Sequence, residues 1–110
     1  MDEARTPILE YETVEVKWGD QRPKPEPGIM QVVKDGPKIR MVDFLCPCGC
    51  GHTVPTPVTE DPKEQRASVW IYSDVGDGPS LYPSIRWNSG CKAHFHIKKG
   101  KTEFCGDSGQ

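Results

Sequence analysis

Cys46-Pro47-Cys48-Gly49-Cys50-Gly51 constrains this chain more than any other stretch. Proline removes a backbone donor and glycine favours angles closed to other residues, so the run is neither helix nor inner strand. It is a bent loop carrying three thiols. Cys46 and Cys48, or Cys48 and Cys50, are too close in sequence for an easy disulfide in ordinary backbone geometry. Thiolates on such a loop can instead point at one shared cation. Cys91 and Cys105 bring the total to five cysteines. An odd count without an export signal argues against a disulfide framework. In a reducing cytosol, thiols this clustered are more often metal ligands or redox groups.

The rest of the chain reads as short strands. The 110 residues fit one domain, spanning 1–110. Val14, Val16 and Trp18 alternate with Glu15 and Lys17 at strand period. Residues 22–28 carry three prolines and form an extended connector. Ile29–Val33 and Ile39–Leu45 are short strands around a turn at Asp35-Gly36-Pro37. Pro55, Pro57 and Pro62 imply a loop, and residues 60–67 hold at most one helical turn. Ser68–Ser73 is a strand by its β-branched and aromatic content. Pro79–Ile85, with two prolines, is at best an edge. Lys92–Ile97 and Lys101–Cys105 form a hairpin around Lys99-Gly100. Residues 42–105 make a cysteine-rich metal-binding core, and 106–110 a flexible tail. The fold class is mainly β: a small, loop-rich sheet domain stapled by a metal site.

The hairpin explains how the thiols meet. A two-residue loop at Lys99-Gly100 places His94 opposite Cys105, with Cβ atoms about 4.5–5.5 Å apart. A three-residue loop, 98–100, pairs Ala93 with Cys105 instead. Either way Cys91, His94 and Cys105 gather at one end. Cys91-Lys92-Ala93-His94 has the two-residue gap common in zinc knuckles. Tetrahedral zinc takes four ligands, and this reading selects Cys48, Cys50, Cys91 and either Cys105 or His94. Cys46 is then spare, a small buried hydrophobe or a thiol supporting the ligands from behind, and His52 and His96 are outsiders. Structural zinc releases about 10–16 kcal/mol in small peptides, against about 5–15 kcal/mol for the stability of a whole domain. The alternative cofactor is a [2Fe-2S] cluster on the same thiols. Cys91-x-x-His94 fits one Rieske knuckle, but Cys-x-Cys stands where Cys-x-His is needed.

Other function classes find little support. Lys and Arg total 14 against 16 Asp and Glu, so nucleic acid is not an expected partner. No run approaches the ~18 apolar residues of a membrane span, and the acidic Met1-Asp2-Glu3 is no signal peptide. A cytoplasmic location follows. The deaminase and His-Glu-x-x-His metalloprotease patterns are absent. Cys105 with His94 is a formal nucleophile pair, yet crowded thiols bind metal more often than they attack carbonyls. No catalytic residue is assigned. Trp18, Trp70, Trp87, Tyr72 and Tyr82 offer an interface or, more commonly at strand period, a core.

Four boxes in order carry a resemblance: Pro47-Cys48-Gly49-Cys50-Gly51, Pro79–Ile85, Gly90–Ile97, then Gly100 and Cys105. Over roughly residues 42–105 the chain resembles a family of short bacterial and phage proteins classed as a domain of unknown function. His96 stands where the family has an aromatic, and Phe104 where it has Trp. The resemblance implies a metal-binding role for Cys48, Cys50, Cys91 and Cys105, with His94 in the motif. It also implies a protein partner, through the ubiquitin-like modifiers and activating enzyme encoded beside some relatives. In this reading Pro79–Ile85 packs over the metal loop, with Ser80 or Ser84 donating to thiolate sulfur. The expected function is a non-catalytic zinc-binding adaptor of a bacterial or phage system. The alternative is a small metalloenzyme or iron–sulfur redox protein using the same site.

Overall fold

A computed structural model describes residues 6–87 and 90–109. The acidic start at residues 1–3, residues 88–89 of the cysteine-rich core and Gln110 lie outside the described residues. Eight strands follow in chain order: β1 (Glu12–Lys17), β2 (Ile29–Asp35), β3 (Lys38–Leu45), β4 (Thr53–Thr59), β5 (Trp70–Ser73), β6 (Ser80–Arg86), β7 (His94–Lys98) and β8 (Lys101–Phe104). They form one curled sheet in that same order. The protein is thus mainly β, small and loop-rich. Among the described residues no helix is long and apolar enough to cross a membrane.

Two of the joins are parallel, β1 with β2 and β4 with β5. Parallel neighbours need a crossover, and the Pro-rich 22–28 segment supplies part of the first one. Gln31 Nε2 donates to the Pro23 carbonyl at 2.9 Å, and Arg22 pairs with Asp43 at 3.0 Å, which pins the connector to the sheet. The second crossover contains a 3-10 turn at Pro62–Glu64, capped by the Asp61 carboxylate.

The sheet curls far enough for its ends to meet. Tyr11 N donates to the Gly100 carbonyl at 2.7 Å, and Thr102 N to that of Leu9 at 2.9 Å. Inside the curl, Tyr11 meets Phe44 edge-on at 5.3 Å, and Phe44 meets Phe95 at 6.2 Å. These three rings link the lead into β1 with β3 and β7, so the core crosses the whole sheet. The Tyr11 hydroxyl satisfies itself on the Leu45 carbonyl at 2.6 Å, and burial holds its proton well above the usual phenol range.

Two proline readings need correction. The stretch with Pro55 and Pro57 is strand β4, not loop. Both prolines are exposed, on alternate residues. There β4 pairs with β3 on one side, while β5 covers its other side only at Val58 and Thr59. The missing N–H groups therefore cost the ladder little. Pro79–Ile85 is not an edge either, since β6 lies between β5 and β7. Its register shifts between Leu81 and Ile85, and Pro83 sits in that irregular stretch, where no ladder amide is required.

Phe44 is fully buried between its two ring partners. Phe44→Ala should cost about 3–5 kcal/mol of stability, measured by urea unfolding.

Candidate active site and cysteine cluster

The loop after β3 delivers three thiols and the turn before β7 a fourth. Sγ atoms of Cys46, Cys48, Cys50 and Cys91 all lie within 4.8 Å of one another. Cys46 is 3.5 Å from Cys48 and 3.7 Å from Cys91. A tetrahedron with metal–sulfur bonds of about 2.3 Å has edges of about 3.8 Å. The donor set therefore fits one tetrahedral ion, and no disulfide joins these residues. A two-iron cluster divides its thiolates between two metals and would spread them further.

Local backbone makes the loop. Cys46 N donates to the His52 carbonyl at 2.7 Å and Gly49 N to the Cys46 carbonyl at 3.1 Å. Gly49 has φ +88, and a Cβ there would stand 2.5 Å from the Thr6 carbonyl oxygen. Burial pushes the Cys46 and Cys48 thiols up. At Cys50 burial acts the same way, but hydrogen bonds from the His52 backbone and the neighbouring thiols outweigh it and bring the thiol down. Gathering four thiolates here is unfavourable by itself, and a divalent cation reverses that balance.

The ligand set expected from sequence is divided by the structure. Cys48, Cys50 and Cys91 come together with Cys46, which is fully buried as expected but lies inside the cluster. Cys105 and His94 fall in a second group, with Asp107. The hairpin loop is the two-residue one, with Lys98 paired to Lys101, so Cys105 stands beside His94 and donates its N–H to the His94 carbonyl at 2.8 Å.

That second group touches a serine. Ser84 Oγ lies 3.0 Å from His94 Nε2, and His94 Nδ1 lies 2.6 Å from Asp107 Oδ1. The His94 hydrogen bond, and then the Arg86 guanidinium, hold the Asp107 carboxyl below its ordinary range. An ionised Asp107 only accepts, so Nδ1 carries the ring proton and Nε2 is left to accept from the Ser84 hydroxyl. Arg86 contacts the second Asp107 oxygen and reaches 3.4 Å from His94 Nδ1. Each member is braced. Trp70 Nε1 donates to the Ser84 carbonyl at 3.2 Å. His94 N donates to Ser108 Oγ at 3.0 Å. Residues 106–109 are turned back on β7 by Ser108 N to the Cys105 carbonyl and Gly109 N to the Lys92 carbonyl. The arrangement has the connectivity of a nucleophile, a base and an orienting acid.

Sequence reading missed this relay. It aimed Ser80 or Ser84 at sulfur, whereas Ser80 Oγ accepts from Lys99 N and Ser84 faces His94. The usable signal was strand parity. Arg86 pairs with His94, so Ser84, two residues away, shares the face of the ring. Asp107 lies beyond the last strand, where no periodicity points.

The sequence profile of the family described as "Bacterial ubiquitination-like system serine protease (BubE)" matches residues 17–105. The chain belongs to this family. The matched span contains Ser84, His94 and all five cysteines, and ends two residues before Asp107. No curated protein and no solved structure matches the chain.

Because Gly49 combines positive φ with a close carbonyl, Gly49→Ala should destabilise the fold by about 1–3 kcal/mol. Thermal unfolding beside Gly51→Ala checks this, since a Cβ at Gly51 meets nothing within 4 Å.

Proposed function

We propose that this chain is a serine hydrolase of a bacterial ubiquitination-like system. Ser84 is the nucleophile, His94 the general base and Asp107 the residue that fixes the ring tautomer. One observation carries the reading: the hydrogen-bond chain Ser84–His94–Asp107, at 3.0 and 2.6 Å, in a chain whose family description names a serine protease. The substrate class is an acyl group in peptide, isopeptide or ester linkage, such as the carboxyl end of a ubiquitin-like modifier.

The steps follow from the geometry. Ser84 Oγ attacks the acyl carbon while His94 Nε2 takes its proton. The imidazolium formed is stabilised by Asp107 through Nδ1–H. The proton then passes to the leaving amine or alkoxide. Water, activated by the same nitrogen, releases the acyl group from Ser84 and restores the hydroxyl. The Asp107 side chain is about half exposed at 48%. A large substrate settling over the relay would exclude water and strengthen these hydrogen bonds.

The same reading assigns one structural zinc to Cys46, Cys48, Cys50 and Cys91. When bound, the ion ties the loop after β3 to the turn that leads into His94. Cysteines in this number with no disulfide among the described residues suit a reducing cytoplasm. The non-catalytic adaptor expected from the sequence makes a different prediction in the same assay.

A fluorophosphonate probe needs no knowledge of the substrate. The folded wild type should acquire one covalent adduct on the peptide containing Ser84, read by mass spectrometry. Ser84→Ala should abolish it, and Asp107→Asn should slow it by about 10³–10⁴-fold. An unreactive, folded wild type favours the adaptor and sinks the hydrolase.

Elemental analysis should find one zinc per chain and a colourless protein. Cys46→Ala should lose it, whereas Cys105→Ala should keep it. Iron with visible absorption, or a full zinc load in Cys46→Ala, overturns the assignment.

A further inference from the structure

We propose that His94, Cys105 and Asp107 form a second, reversible site for a zinc-class divalent cation, and that filling it turns the hydrolase off. The second half rests on the hydrolase reading above; the binding site stands on its own geometry.

One donor atom from each of the three residues lies within 4.8 Å of the other two. Nitrogen, thiolate and carboxylate together are a zinc-type donor set. Three protein ligands with one open position are characteristic of exchangeable or catalytic sites rather than closed structural ones. Backbone, not chance side-chain reach, brings the donors together. The Lys99-Gly100 turn sets Cys105 beside His94, and the Ser108 N–H to the Cys105 carbonyl folds Asp107 back over both.

Cys105 has no other assignment. It lies outside the apolar core and outside the four-thiol cluster. It takes no part in the Ser84–His94–Asp107 hydrogen bonds. It is nonetheless a part-exposed thiol beside the base. Its neighbours are also open to solvent, with side-chain exposures of 20% at His94 and 48% at Asp107. An ion can therefore enter from water, in contrast to the cluster around the fully buried Cys46.

Occupancy and catalysis exclude each other through the ring tautomer. With Asp107 as co-ligand, the nitrogen facing the ion is Nδ1. A metallated Nδ1 carries no proton, so Nε2 holds it and cannot accept the Ser84 hydroxyl proton. Cys105 releases its thiol proton to solvent as it binds. Arg86 opposes the ion. Its guanidinium touches Asp107 and must swing away, which its 39% side-chain exposure permits. That positive charge keeps this site weaker than the four-thiol one.

The test uses the full chain already holding one zinc. Calorimetric titration with zinc chloride should reveal one further binding event, with a buffer-dependent heat showing proton release. Cys105→Ser should weaken that event at least tenfold, and Arg86→Gln should tighten it several-fold. Excess zinc should slow fluorophosphonate labelling of Ser84 at least tenfold in the wild type, and far less in Cys105→Ser. A wild type with no second event, or a Cys105→Ser that binds as tightly, overturns the site. Binding that leaves labelling unchanged overturns the switch. Absence of labelling at every zinc level counts against the hydrolase reading, and the calorimetry still decides the site.

Discussion

The tip of the last hairpin holds the molecule together. Lys99 and Gly100 both take positive φ, at 51 and 78. This is the geometry of the two-residue turns whose twist matches paired strands. The same two residues bind two other segments. Gly100 N donates to the Pro79 carbonyl, Tyr11 N donates to the Gly100 carbonyl, and Lys99 N donates to Ser80 Oγ. The turn therefore sets the register of β7 on β8, anchors the start of β6 and joins the lead into β1 to the far end of the sheet. Ser84, His94 and Asp107 all inherit their positions from it.

Much of this was legible because hairpins are local. Lys99-Gly100 between two alternating runs fixes a turn, and a two-residue loop fixes His94 beside Cys105. The thiol loop was equally legible, since Pro and Gly leave it few shapes. The choice of fourth thiol was not. Whether Cys46 or Cys105 meets Cys48, Cys50 and Cys91 depends on how the end of β3 sits against the turn before β7, a relation separated by 45 residues. The Ser84 relay failed for a related reason. Each member belongs to a different segment, and the motif reading attached His94 to the sulfurs. Prolines misled twice, because a missing donor matters only where a neighbouring strand asks for one.

The two clusters divide the chemistry by environment. The four-thiol group includes a fully buried sulfur and burial disfavours its charge, which suits a closed cation site. The serine relay sits on the outer face of β6 and β7, with its acid open to water, which suits contact with something large. Only two residues separate Cys91 from His94, so one short turn serves both.

The joint between β4 and β5 is the shortest in the sheet, with two paired positions, Val58 with Trp70 and Thr59 with Ile71. It divides the molecule into a leading half, β1–β4, and a trailing half, β5–β8. Cys46, Cys48 and Cys50 belong to the leading half and Cys91 to the trailing one. Ser84, His94 and Asp107 all ride on the trailing half. Mechanically, the sulfurs sit astride the seam like a clasp, while Ser84, His94 and Asp107 share a single plate. The hydrogen bonds that space serine, imidazole and carboxylate all lie on one side of that line, whereas the sulfur contact between Cys46 and Cys91 spans it.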